Sequence, residues 1–197
     1  MGIICKGNNF CQDYELVRNC QNFNLQISEN NFNNSNEKIF YNGKSINNDQ
    51  LILSKKYYEL LNEIRENPSN FIDESKEHQL FEIFLKLKTS KPLKFSENDI
   101  LDIIYYLEES QHKSFTDEQK EKGVKSLINN GNVSNICLFQ LVALFNDVKE
   151  NIWQFLEDNE DDIDKILTVN YDFIMVICLP IENNNNQSIV TFIFYDE

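Results

Sequence analysis

Residues 161–177 read DDIDKILTVNYDFIMVI. Three aspartates, Asp161, Asp162 and Asp164, open the stretch, and an unbroken apolar run, Phe173–Ile177, closes it. The opening reads as the first turn of a short helix, where carboxylates offset the helix dipole. The close reads as a buried strand. Closely spaced carboxylates also suit a hard cation such as calcium or magnesium, but a calcium loop needs alternating oxygen ligands and a Gly for its tight turn. EDNEDDIDK, residues 157–165, has no Gly. The helix start is the reading adopted, and here the chain passes from helical to strand period.

Downstream, Phe173–Leu179 and Ile189–Tyr195 predict two strands joined across Asn183–Asn186. Upstream the period is helical. Leu53, Tyr57, Leu60, Leu61 and Ile64 recur at helical spacing from Leu51 onward, and Asn67-Pro68 ends that helix because the residue before Pro avoids helical geometry. Leu80, Phe81, Phe84 and Leu85 predict a second helix within Phe71–Leu87. Ser96 predicts an N-cap for a helix over Glu97–Glu109, with Ile100, Ile103, Ile104 and Leu107 on one face. TDEQ, Thr116–Gln119, is a capping box. The helix after it buries Val124, Leu127 and Ile128 and stops at Asn130-Gly131. The longest apolar run starts at Ser134 and passes through Leu144 and Phe145 to Trp153, Phe155 and Leu156, with strand period only after it. The order is several helices followed by a terminal β-hairpin, an α+β or layered α/β arrangement.

Residues 1–50 hold thirteen asparagines and read as an Asn-rich, largely irregular N-terminal arm. Within it IFYNGKSI, Ile39–Ile46, places Asn42-Gly43 between two apolar flanks, a strong hairpin signal. Residues 51–197 read as the folded domain. The 197 residues, 41% hydrophobic, suffice for one sizeable core.

Net charge is −14, and residues 147–197 carry twelve acids against Lys149 and Lys165. No stretch gathers enough Lys and Arg to neutralise phosphates, which disfavours nucleic acid as a partner. The acidic third suits a solvated surface first and a basic partner second. No run approaches the ~18 apolar residues of a membrane span, and no secretory signal is expected. Five cysteines, Cys5, Cys11, Cys20, Cys137 and Cys178, have neither disulfide-framework nor zinc-knuckle spacing, which reads as a reduced, cytosolic-facing protein.

Cys137 and Cys178 lie in the apolar runs ICLF and VICL, where a thiol packs as a small hydrophobe. His78 and His112, in KEHQ and SQHKS, read as surface residues. Trp153 and the helically spaced Phe and Tyr residues read as core. The chain has no phosphate-binding glycine loop, nucleophile elbow or HExxH motif. At the start, MGIICKG offers Gly2 for myristoylation and Cys5 for palmitoylation, with Lys6 where Ser or Thr is usual.

Taken in order, several phrases resemble the superfamily of cysteine-rich secretory proteins, antigen 5 and pathogenesis-related proteins (CAP). They are Leu61-Asn62-Glu63-Ile64-Arg65, Asn67-Pro68-Ser69-Asn70-Phe71, Pro92-Leu93-Lys94-Phe95-Ser96, Asn135-Ile136, Asp161 to Leu167, Asn170 to Val176 and Ile189 to Phe194. The resemblance covers roughly residues 51–197 and implies a three-layer α-β-α sandwich. The family's cleft carries two His and two Glu, which bind a divalent metal in some members. On this resemblance Asp162 stands where the second His would sit and Ser134 where the first Glu would sit. Tyr106 or Leu107 falls near the first His, and Glu150 near the second Glu. His78 and His112 fall on none of these positions. The cleft is therefore degenerate, and the expectation is no catalysis, no bound metal and no cofactor, with a metal-dependent hydrolase using Asp162 and Glu150 as the minor alternative.

The resemblance and the degenerate cleft together imply a non-enzymatic CAP-like interaction module or scaffold component on the cytoplasmic side, binding other proteins through its arm. The Asn-rich style suggests a protist such as a ciliate or slime mould, where a ciliary or cytoskeletal assembly is a reasonable setting. The alternative is a peripheral protein held at a membrane surface by acylated Gly2 and Cys5.

Overall fold

The computed structural model describes residues 39–41, 44–46, 48–144, 147–181 and 184–197. Among them lie six strands, seven α-helices and three 3-10 turns. The fold is mixed α/β, with a four-stranded sheet that includes a C-terminal hairpin.

Strands β1 (Ile39–Tyr41) and β2 (Lys44–Ile46) pair antiparallel, Ile39 opposite Ile46, as the sequence predicts. Their Asn42-Gly43 connection, and the rest of the arm before Ile39, lie outside the described residues. Helix α1 (Asn48–Glu66) buries the expected stripe of Leu53, Tyr57, Leu61 and Ile64 and ends before Pro68.

A single helix over Phe71–Leu87 does not form. A 3-10 turn at Pro68–Phe71 leads into the one-turn helix α2 (Ile72–Ser75), and α3 (Phe81–Phe84) follows a break. At the break Gln79 takes φ 58 and the Leu80 N–H returns to the Ser75 carbonyl at 3.0 Å. A right-handed helix cannot contain a left-handed residue.

Strand β3 (Lys94–Phe95) comes next, and then Ser96, which does not cap a helix. Its N–H donates to the Ile174 carbonyl at 2.9 Å, and its Oγ accepts the Tyr195 hydroxyl at 2.7 Å. Helix α4 (Ile100–His112) starts after Asp99, which holds φ 58, and buries Leu101, Ile103, Tyr106 and Leu107. The capping box of α5 (Asp117–Leu127) forms as read: Gln119 N–H donates to Thr116 Oγ1 at 3.3 Å and Thr116 N–H to Gln119 Oε1 at 2.9 Å. Val124, Leu127 and Ile128 are buried, and Gly131, at φ 84, closes the following 3-10 turn. Residues 98–133 make one compact unit; residues 39–97 and 134–197 belong to the other.

The run after Ser134 opens with a strand rather than a helix. Strand β4 (Ile136–Leu144) pairs along its whole length with β6 (Asn184–Tyr195), from Ile136↔Tyr195 to Leu144↔Gln187. Both of its faces are apolar apart from Gln140, so its two-residue period is hidden in the sequence. Helix α6 (Val148–Asp158) holds the Trp153–Leu156 part of the run. A 3-10 turn at Glu160–Asp162 then opens α7 (Ile163–Leu167), so the acidic cluster is the helix start that the opening stretch predicts. Strand β5 (Phe173–Ile181) comes after α7. It forms the predicted hairpin with β6, which already begins at Asn184, within the expected connection.

The sheet order is β3-β5-β6-β4, with β3 parallel to β5 and the other pairs antiparallel. Alternation sends Ile174, Val176, Cys178, Val190, Phe192, Phe194, Leu141 and Ala143 into one core with α1, α6 and α7. Phe192 stacks on Phe155 at 4.4 Å and meets the edge of Tyr57 at 5.9 Å. Each such aromatic contributes roughly 1.5–3 kcal/mol through the apolar surface it removes from water. On the opposite face Met175, Ile177 and Ile193 are buried as well, which explains the unbroken apolar reading of Phe173–Ile177.

Candidate functional site

Within residues 39–97 and 134–197, three sets of inward-facing polar groups tie separate elements together. The first lies where α1, α6, β4 and β5 meet. Tyr57 and Ser54 are one turn apart on the buried stripe of α1, Asn151 faces inward from α6, and Cys178 comes from β5. The Asn151 amide donates to the Tyr57 hydroxyl at 2.8 Å and to the Leu144 carbonyl at 2.7 Å, while its oxygen accepts the Leu144 N–H at 3.1 Å. One side chain thereby ties off the last residue of β4. Ser54 Oγ donates to the Gln50 carbonyl at 2.9 Å and lies 3.5 Å from Cys178 Sγ. Burial pushes the Cys178 thiol up to about 12 and raises the Tyr57 phenol well above its ordinary range. Neither ionises at neutral pH, so the thiol is a packed hydrophobe, as its sequence context predicts.

The second set explains the Leu61–Arg65 phrase. Asn62 and Arg65 sit one turn apart on α1 and both are buried. Asn62 closes a two-way amide pair with Leu93, donating to its carbonyl at 2.9 Å and accepting its N–H at 3.0 Å. Tyr58 adds a hydroxyl bond to the same carbonyl at 3.1 Å. The Arg65 guanidinium donates to the carbonyls of Ile166, Val169 and Lys91, the Val169 bond at 2.9 Å. Ile166 and Val169 mark the C-terminal end of α7, where carbonyls lack helical partners. Burial lowers the Arg65 pKa to about 10, which leaves it charged at neutral pH. Two phrases of the resemblance, Leu61–Arg65 and Pro92–Ser96, thus meet in space and clamp each other.

The third set corrects the surface reading of His78. Its ring stacks on Trp153 with centroids 4.9 Å apart and planes 6° from parallel, and its Nδ1 lies 3.4 Å from Glu157 Oε1. Phe84 and Phe71 flank the same indole at 5.2 and 6.4 Å. His78 therefore fastens the α2–α3 break to α6. His112 is exposed at the end of α4, as read.

The degenerate cleft positions have local roles. Asp162 pairs with Lys165 one turn along α7. Ser134 is exposed, and its N–H donates to the Asp196 carbonyl at 3.2 Å. Glu150 is exposed in the first turn of α6, where its N–H donates to the capping carboxylate of Asp147 at 3.1 Å. Tyr106 is buried in α4, and its hydroxyl donates to the Gln119 carbonyl at 2.9 Å. Its neighbour Leu107 is buried too. Among the described residues no group of three or more His, Cys, Asp or Glu is placed to hold a metal. Gly2, Cys5, Cys11 and Cys20 lie outside the described residues. No described helix is long and apolar enough to cross a membrane.

Sequence reasoning reads the packing of Cys178 from its local context, but misses Asn62, Arg65 and Asn151 as fastening residues. Their signal was a polar side chain on an otherwise apolar helix stripe.

No protein-family model matches the chain, and no curated protein matches it in sequence. Among solved structures it is similar to a cysteine-rich secretory protein of Staphylococcus aureus, at 18% identity and a TM-score of 0.47. The match covers 78% of this chain and 42% of that one, so the chain spans less than half of that protein.

Proposed function

We propose that the chain is a CAP-like, non-enzymatic interaction module, a scaffold component that binds other proteins through its arm of residues 1–50, chiefly the part that precedes Ile39. The supporting observation is how its polar groups are used. Asn62, Arg65, Asn151 and His78 all hold elements of the fold together. Cys178 is kept protonated by burial. Asp162 and Glu150, the pair a hydrolase would need, sit at the starts of two different helices, Asp162 just before α7 and Glu150 in the first turn of α6. Catalysis needs a nucleophile, a base and an orienting partner in mutual reach. The cytoplasmic side, in a ciliary or cytoskeletal assembly, is the setting this reading favours.

Affinity purification of the tagged chain from its native cells, beside a version starting at Ile39, tests the proposal. The same proteins should be retained by the full chain and lost by the shortened one, with the folded spectrum of the latter unchanged. Equal retention by both refutes the arm as the attachment device. Calorimetric uptake of calcium, magnesium or zinc by the full chain would favour the hydrolase instead. The membrane alternative rests on Met1–Cys5 alone, and intact-mass measurement of native protein decides it through the presence or absence of an acyl group on Gly2.

A further inference from the structure

In a chain of net charge −14, one stretch runs the other way. Residues 83–96 read IFLKLKTSKPLKFS, with four lysines and no acid, between Glu82 and Glu97. Lys86, Lys88, Lys91 and Lys94 are all exposed. Elsewhere Lys55, Lys76, Lys113, Lys120, Lys149 and Lys165 each hold a carboxylate within 4.0 Å. Among the described residues none of the four does so; Lys94 Nζ lies instead over the Phe173 ring, 5.3 Å from its centroid. The backbone that carries them is held. Ser90 N–H donates to the Arg65 carbonyl at 2.8 Å, Asn62 takes both polar backbone groups of Leu93, and Lys94 N–H donates to the Asp172 carbonyl at 3.0 Å. The lysines therefore stand along a fastened segment that leads into the edge strand β3, over at most about 30 Å.

We propose that the strip Lys86–Lys94 is the docking surface for an extended acidic segment, rich in Asp and Glu, of a partner protein. A protein as the occupant rests on the interaction-module reading, but the strip acts independently of the arm. The support is charge complementarity. With 32 acids against 18 bases in the chain, four lysines without a carboxylate are positive charge left open to a ligand. Their fastened backbone reduces what must be ordered on binding. Strand addition is not the mode, because β3 is two residues long and follows Pro92. The shape of the charge selects among anionic partners. A nucleic-acid backbone is neutralised by more cations than four. A bilayer is a plane and would also face the acids around the strip, and within residues 85–94 Leu85 is the sole exposed large hydrophobic side chain to insert. A slender segment meets only the charges within a Debye length, about 8–10 Å. Asp172 adjoins the Lys94 end, so Lys86, Lys88 and Lys91 carry most of the attraction.

Fluorescence anisotropy of a labelled peptide of about twelve residues, with Glu at alternate positions, titrated with the full chain at about 0.02 and 0.15 M salt, tests this. Binding with a Kd on the order of 100 µM should appear at the lower salt and weaken about fivefold or more at the higher. The same peptide with Gln in place of Glu should not bind. Lys86→Gln/Lys88→Gln/Lys91→Gln should weaken binding about tenfold and keep the native melting temperature, because all three side chains are exposed. Lys56→Gln/Lys113→Gln/Lys149→Gln, an equal change of net charge at other exposed lysines, should weaken it less than about twofold. Should the first triple variant melt early, Lys88→Gln alone should weaken binding about twofold. No binding at the lower salt, undiminished binding by a folded variant, or an equal loss from the second triple overturns the proposal. Tighter binding to vesicles of about 30% phosphatidylserine than to the peptide, lost with the same three lysines, overturns it in favour of a lipid surface. Retention of partners by the arm is a separate readout, so either reading can fail without the other.

Discussion

Tyr106 lies directly over Gly123. A Cβ added to Gly123 would fall 2.0 Å from Tyr106 Cζ and 2.1 Å from its hydroxyl oxygen, which is tied to the Gln119 carbonyl at 2.9 Å. Glycine in a helix normally weakens it by about 1 kcal/mol relative to alanine. Here the close crossing of α4 and α5 requires it. Gly123→Ala should therefore destabilise residues 98–133, by about 1–3 kcal/mol despite the better helix propensity. Thermal melting checks this, and a raised midpoint would show that the ring moves aside freely. Tyr106→Phe, which loses the hydroxyl bond to the Gln119 carbonyl, should cost about 1 kcal/mol.

Arg65 is held by carbonyls from two segments distant in sequence. Arg65→Leu strands the Ile166 and Val169 carbonyls in the core and should lower stability by roughly 2–4 kcal/mol. Arg65→Lys should recover little, because an ammonium cannot reproduce a planar fork that reaches separate acceptors. Urea denaturation of the three proteins compares them, and full rescue by lysine would reject the fork geometry as the reason.

Asn151 acts as both donor and acceptor towards the end of β4. Asn151→Asp keeps the shape but turns the donor edge into an acceptor facing the Leu144 carbonyl and the Tyr57 hydroxyl. A loss of about 2–3 kcal/mol is expected, near that of Asn151→Ala. Aspartate performing as well as asparagine would show that the Leu144 carbonyl contact contributes nothing.

Cys178 sets a dependence of stability on pH. Its pKa is raised from 9.0 to about 12 in the folded chain, first by burial, so unfolded chains release this proton earlier. The stability it carries is whole below pH 9.0 and is lost as pH rises through about 12. Tyr57, raised in the same way, adds to the decline at higher pH. Between about pH 8.5 and 10.5 the unfolding free energy should fall by about 1–2 kcal/mol from Cys178 alone. A Cys178→Val variant should fall less steeply across the same range. Parallel slopes in the two proteins would refute the assignment.

Features set within one or two turns were legible in the sequence. The Thr116–Gln119 capping box closes on itself, and Pro68 ends α1 through its own neighbour. The acids before Ile163 open a helix for the same local reason. Features set by distant partners were not. Ser96 looks like a cap, yet Tyr195 and Ile174 claim it from the far end of the chain. Strand β4 looks like part of a helical run because both of its faces are apolar, and only its register with β6 identifies it. The break at Gln79 depends on a backbone angle that no pattern of apolar residues encodes. Likewise, Glu157 and Trp153 moved His78 from the surface reading to a packed one, across more than seventy residues of chain.

Strand β6 lies between β4 and β5 but comes after both in chain order. As a nascent chain leaves the ribosome, its two neighbours therefore emerge before the strand that joins them. Until β6 arrives, Phe139 and Val176 have no Phe192 between them, and each strand waits with its bonding groups open. A ribosome stalled within the codons for β6 would release a product whose four-stranded sheet has not closed, a ready client for chaperones or proteases.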